Sequence, residues 1–193
     1  KKKTILVDDK NFLGGSTIYQ DNENYKVNNQ ISSKWLEHEI NELQKLDHLT
    51  IKTRTSIAAY HGYNYLLAKE SLTDHLKNED KDNKIRHRLW KIRAKKVIIA
   101  TGAVERPMIF NNNDRPGIIL CNSVKKFLDF FGVTCGKKII IFTNNDNSYE
   151  TAVSLHNKGV KVIVVDIRKS SNSCIVKQVE NLNIKIYWNH GVT

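Results

Sequence analysis

The chain has 193 residues, enough for one compact domain or two small ones with a real core. Its formal net charge is +11, yet the basic residues are scattered and no aromatic-interleaved nucleic-acid motif accompanies them, so no nucleic-acid partner is expected. No apolar run approaches the roughly 20 residues of a membrane helix, and no secretory signal precedes the first strand-like run, so no membrane and a cytoplasmic location are the expectation.

Residues 4–7 read as a short apolar strand ending on Asp8 and Asp9, followed by a glycine-rich turn at Leu13, Gly14, Gly15 and Ser16. Residues 20–30 lack apolar periodicity and read as loop. Ser32 or Ser33 then offers an N-cap to a helix in which Leu36, Ile40, Leu43 and Leu46 recur at helical spacing. Alternation replaces that period over about 50–93. Strands are predicted at 50–53, 56–60, 65–68 and 88–93, with a turn at 61–64 and a charged loop at 76–84. Residues 96–100 are predicted to form a buried core strand.

The second half is simpler. Val124, Phe127, Leu128 and Phe131 mark a helical stripe, and 138–143 is a buried strand. A helix over 149–158 stops at Gly159, and strands follow at 161–166 and 183–188. Strand, helix and strand within about 30 residues form a βαβ unit with a right-handed crossover. The predicted class is α/β, with two Rossmann-like dinucleotide-binding units at 1–132 and 133–193. A β-meander at about 50–93 is inserted in the first.

An acid at the end of the second strand of such a unit accepts hydrogen bonds from a ribose diol, and Asp8 stands in that place. The glycine-rich phosphate turn belongs about 20 residues upstream of such an acid. The sequence therefore reads as an internal fragment whose first unit is truncated at its N-terminus. In the second unit the turn at 143–148 contains no glycine, Asp146 is expected to cap a helix, and Asp166 occupies the ribose position. Ala100, Thr101 and Gly102 end a strand where a side-chain-free residue lets the backbone approach a cofactor.

Other reactive residue types carry bland readings. The seven histidines lie singly, without metal-ligand spacing. Cys121, Cys135 and Cys174 are far apart, and Cys121 reads as a packed thiol because no resolving cysteine is near it. Trp35, Trp90 and Trp188 read as core aromatics. Arg106 either contacts a phosphate or flavin or braces the turn before Pro107.

Four separated stretches, 88–95, 100–107, 113–118 and 142–146, closely resemble the α subunits of heterotetrameric sarcosine oxidases. Asp8, Asp9 and Lys10 followed by Phe12, Leu13, Gly14, Gly15 and Ser16 match the acidic pair and glycine turn of the same family. The resemblance implies NAD bound in the first unit, with Asp8 and Asp9 holding the adenosine ribose. Lys10, Gly15 and Ser16 would lie beside the nucleotide, Thr55 or Ser56 near the adenine, and Ala100, Thr101 and Gly102 near its middle. Lys10 and Thr17 depart from the family pattern.

The resemblance also implies β, γ and δ partner subunits, FAD and FMN in the complex, and tetrahydrofolate in a region beyond this chain. The implied chemistry is oxidative demethylation of sarcosine to glycine with oxygen, with no catalytic residue on this chain. Subunits of opine and other amine oxidases or of hydrogen cyanide synthase share the motif at 100–107. A docking scaffold without bound nucleotide is the alternative from another class.

Overall fold

The computed structural model describes residues 2–19, 26–78, 81 and 84–193, so part of the predicted loops at 20–30 and 76–84 lies outside the described residues. The chain divides into two compact units, Lys1–Gly102 and Ala103–Thr193. The division falls at Gly102, about thirty residues before the expected 132.

In the first unit, β1 (Thr4–Val7) pairs in parallel with β4 (Leu49–Lys52), in a register running from Thr4 opposite Leu49 to Val7 opposite Lys52. Between them run a small antiparallel hairpin, β2 (Lys26–Val27) and β3 (Gln30–Ile31), and helix α1 (Ser32–Gln44). This is a βαβ unit. The apolar period at Leu36, Ile40 and Leu43 produces α1 as expected, but the capping differs. Ile31 occupies the N-cap position without a side-chain cap, while Ser32 is buried as the first helical residue. Gly14 explains the glycine turn. Its φ is +118°, which strains any other residue, and a Cβ there would lie 2.5 Å from Leu36 Cδ2, so the Leu36 side chain of α1 would have to give way.

The predicted strand at 50–53 belongs to this parallel pair as β4 and not to the meander. Arg54 is the reason: its left-handed backbone (φ 50°) breaks the extended run between β4 and β5 (Thr55–His61). The meander itself is β5, β6 (Tyr65–Ser71) and β7 (His87–Arg93), antiparallel and in that order, with a bulge between Ile57 and Ala59. Tyr63 and Asn64, both left-handed, make the turn expected at 61–64. Strand β6 buries Leu66, Ala68 and Glu70. Glu70 tolerates burial because the Trp90 indole N–H donates to it at 2.7 Å and Lys52 and Arg88 lie within 3.5 Å. Trp35 and Trp90 are only partly buried.

Residues 96–100 correct the sequence reading. They form no strand, and Ile98 and Ile99 are 91% and 69% exposed. An apolar run becomes a buried strand only when neighbouring strands satisfy its backbone, and no described strand pairs with it.

The second unit holds a parallel sheet ordered β10–β9–β8, built from β8 (Lys138–Thr143), β9 (Lys161–Asp166) and β10 (Lys185–Trp188). Helices α2 (Cys121–Asp129), α3 (Asn147–Asn157) and α4 (Cys174–Asn181) accompany it. One core joins Val124 and Leu128 of α2, Ala152 and Leu155 of α3, Val162 and Val164 of β9, and Val176 and Val179 of α4. Because α2 supplies two of these residues, residues 103–132 fold with the second unit, which moves the division from where the sequence placed it. Phe127 and Phe131 of the predicted stripe stay about half exposed. Gly159, with φ 77°, ends the α3 segment as anticipated, and α4 is an element the sequence reading did not include.

Candidate functional site

The end of β1 leads into a tight backbone knot. Asp8 N–H donates to Lys52 O at 2.9 Å, extending the parallel pairing, and Asp8 O accepts from Thr55 N–H at 2.9 Å. Asp8 Oδ1 accepts from Lys10 N–H at 2.9 Å, which closes an Asx turn. Arg54 N–H donates to Lys10 O at 2.6 Å, and Arg54 O accepts from Ser71 N–H at 2.9 Å. The ends of β1, β4, β5 and β6 are thus stitched together around Asp8. Its carboxylate stays partly exposed and that of Asp9 exposed. Lys10 Nζ donates to Asp9 Oδ2 at 2.8 Å, a bond that raises the lysine pKa above its ordinary value against the opposing effect of burial.

Beside this knot opens a shallow groove of about 390 Å³ lined by Asp9, Arg54, Ser56, Lys69, Ser71, Asp74 and His75. The structure therefore brings Asp9 and Ser56 together. Gly15 and Ser16 are exposed at the start of a 3-10 turn (Gly15–Tyr19) following the same strand end. Thr55 is placed differently from Ser56. It is buried, and its hydroxyl donates to Thr53 O at 2.8 Å, so it holds the turn in place. Ala100, Thr101 and Gly102 are exposed and do not line the groove.

The corresponding strand end of the second unit is closed. Asp166, at the end of β9, is fully buried. The Tyr149 hydroxyl donates to it at 2.9 Å, the Arg168 backbone N–H at 2.9 Å and Arg168 Nη2 at 2.7 Å. Burial pushes the Asp166 carboxyl up, but the donors from Arg168 and Tyr149 outweigh it and hold the group below the usual carboxylate range. Burial and the same hydrogen bond push the Tyr149 hydroxyl well above its ordinary range. A ribose could reach Asp166 only by displacing Arg168.

The turn before α3 is equally self-satisfied. Ser148 Oγ donates to Thr143 Oγ1 at 2.6 Å, and Asn145 Oδ1 accepts from Asn147 N–H at 3.0 Å. Asp146 sits at the N-cap but makes no side-chain cap. Its carboxylate pairs with Arg168 Nη2 at 2.7 Å and accepts from Ser171 Oγ at 3.1 Å, which corrects the expected capping role.

Glu105 is a residue the sequence reading left without a role of its own. Its carboxylate accepts from the N–H groups of Cys121 at 3.0 Å and Asn122 at 2.7 Å, so it caps α2 from sixteen residues upstream. An acid so placed also suits the positive end of the helix dipole. Burial pushes the Cys121 thiol up to about 11, consistent with a packed thiol. Arg106 is exposed. Among the described residues no cluster of His, Cys, Asp and Glu could hold a metal ion, and no helix is long and apolar enough to cross a membrane.

Parallel βαβ pairing, an antiparallel meander and a second parallel sheet make a mixed α/β fold, and solved oxidoreductase structures share it. The L-proline dehydrogenase of P. horikoshii matches with a TM-score of 0.64 and 23% identity, over 87% of this chain and 32% of that one. The water-forming NADH oxidase of Lactobacillus brevis, solved with NADH, matches with a TM-score of 0.56 and 13% identity, over 99% of this chain and 47% of that one. These likenesses define the fold. No family model matches the chain.

Among curated proteins, the α subunit of sarcosine oxidase from a Corynebacterium species is 33% identical over 177 residues, 92% of this chain. That of Rhizobium meliloti is 31% identical over 170 residues. The chain is homologous to a stretch of the sarcosine oxidase α subunits and spans 18% and 17% of the length of these two relatives.

Proposed function

We propose that this chain is the NAD-binding part of the α subunit of a sarcosine oxidase complex. The complex would oxidatively demethylate sarcosine to glycine with oxygen and pass the one-carbon unit to folate. The observation that carries the reading is the open Asp8–Asp9 pair at the end of β1, in a parallel βαβ unit of a chain homologous to those subunits. Asp8 spends one carboxylate oxygen on its Asx turn and leaves the other for a ribose diol. Asp9 and Ser56 form part of one groove's wall, which would take the adenosine end of a dinucleotide, and Gly15 and Ser16 follow the same strand end. Thr55 contributes by fixing that wall, and Lys10 by orienting Asp9. Ala100, Thr101 and Gly102 are proposed to approach the middle of the cofactor.

When bound, a nicotinamide dinucleotide supplies a hydride-accepting ring. This chain's own residues bind and orient, and the amine chemistry belongs to the β subunit and the flavins, FAD and FMN. The γ and δ subunits complete the proposed heterotetramer. Tetrahydrofolate would bind in the part of the α subunit beyond this chain.

The test is the full-length subunit co-expressed with its partner subunits. Sarcosine-dependent peroxide formation is expected, together with stoichiometric NAD that is lost in Asp8→Asn. Turnover of another amine with none on sarcosine would remove the substrate assignment. The second reading, a docking scaffold without nucleotide, is favoured by the self-filled strand end at Asp166. It predicts no heat on titration of the full-length subunit with NAD.

A further inference from the structure

Strand β7 is an outer strand of the meander, paired with β6 along its whole length and with no other described strand. Ala94 N–H donates to Asn64 O and Leu72 N–H to Arg86 O, both at 3.0 Å, so the even-numbered residues of β7 carry the ladder to β6. The N–H and C=O groups of His87, Leu89, Lys91 and Arg93 therefore point away from β6, along an open edge. Their side chains share one face of the sheet. Leu66, Ala68 and Glu70 of β6 are buried and lie opposite Ile92, Trp90 and Arg88, so the odd-numbered residues of β7 occupy the solvent face.

That edge is strongly basic. Residues 84–96 hold seven lysines and arginines and no Asp or Glu. Lys91, Arg93, Lys95 and Lys96 are exposed, and among the described residues none of them has a carboxylate partner. The nearby acids are engaged elsewhere. Glu70 is held on the opposite face by Trp90, Lys52 and Arg88, and Asp74 by Arg86, His87 and Ser71. Arg93 is positioned all the same, its guanidinium 5.6 Å from the centre of the Tyr65 ring. Leu89 stands on the same face, 59% exposed.

We infer that the open edge of β7 takes an acidic β-strand from another polypeptide. Free C=O groups alternate with free N–H groups along this edge, a pattern that a second backbone satisfies and a row of phosphates, which only accept, does not. A second copy of β7 would set Lys91 and Arg93 against like charges. Carboxylates on the incoming strand meet these two cations instead, and an apolar residue beside them covers Leu89. The inference rests on the proposed function only for the source of that strand, which is another subunit of the complex.

The test compares the full-length subunit alone with its co-expressed complex, by hydrogen exchange and by subunit affinity, in the wild type, Lys91→Glu and Lys91→Pro. Exchange across residues 87–93 is expected to slow on assembly at about three amides, those of Leu89, Lys91 and Arg93. Lys91→Glu should weaken subunit association about tenfold. Lys91→Pro deletes an N–H that β6 does not use and should weaken association at least as much, with NAD affinity within about twofold in both variants. Exchange at these amides unchanged on assembly, or association unaffected by Lys91→Glu, overturns the inference; sarcosine turnover and NAD binding that persist then leave the proposed function standing. Amides already slow in the isolated subunit also overturn it, because the rest of that subunit then covers the edge. Salt-sensitive binding of polyuridine RNA in place of a subunit, abolished by Lys91→Glu, does the same. Failure to assemble with any subunit removes both readings. Lys91 is exposed, so Lys91→Glu keeps the test valid if Lys91→Pro perturbs the strand.

Discussion

The two units place an acid at the end of an equivalent parallel strand and treat it in opposite ways. Asp8, partly exposed, and Asp9, exposed, end β1 with only local partners, whereas Asp166 ends β9 fully buried among donors from Tyr149 and Arg168. Strand topology alone therefore does not assign a ligand site. What separates the two is whether the chain itself fills the acceptor. An acid that the protein has already satisfied is a structural element, and one it has left open is available to a ligand.

Removing Asp166 should have the largest effect. In Asp166→Ala the Tyr149 hydroxyl and part of the Arg168 guanidinium lose their acceptor, and stability should fall by about 3 kcal/mol in urea denaturation of the full-length subunit. The pH dependence follows with a definite sign. The folded-state pKa values of Asp166 and Asp146 are both depressed, Asp146 because Arg168, Ser171 and Ser173 outweigh its burial. Their contribution is present above the ordinary carboxylate pKa of about 4 and is lost as the pH falls below it. The acid-unfolding midpoint should move upward in the Asp166→Ala variant. An unchanged midpoint and stability would show that the second strand end is not held by this network.

Glu105→Ala should come next. It frees two N–H groups at the start of α2 and should cost about 1–2 kcal/mol, visible as faster exchange of the Cys121 and Asn122 amides. Smallest in stability is Asp8→Asn, expected within about 0.5 kcal/mol because the side chain is partly solvated. Its effect belongs to binding, where losing a charged acceptor should weaken NAD by about tenfold or more. A large stability loss in Asp8→Asn would erase the contrast between the two ends.

How much of this was legible in the sequence follows from how local each signal is. The α1 period at Leu36, Ile40 and Leu43, the alternation of β7 and the β8–α3–β9 succession depend on spacing along one segment, and they emerge much as read. Residues 96–100 have the same apolar composition as β8, but a strand needs backbone partners that composition cannot announce. The break at Arg54 was hidden because an arginine carries no mark of a left-handed backbone. Helix α4 had a signal that went unread: Ile175, Val176 and Val179 at helical spacing behind Ser173. In the candidate site, Asp8 was readable from its strand end, and Asp9 and Ser56 through the family resemblance. Arg54, Lys69 and His75 meet them only through the pairing of β5 with β6 and the turn after β6.

The clasp made by Glu105 has a topological consequence. Its bonds to Cys121 and Asn122 close residues 105–121 into a ring, although residues 106–120 hold no helix or strand. Closing a segment of that length costs entropy that grows only as the logarithm of its length, so two charge-assisted bonds go far toward offsetting it. The glutamate at the centre of the most recognisable stretch of the sequence thus works as a buckle.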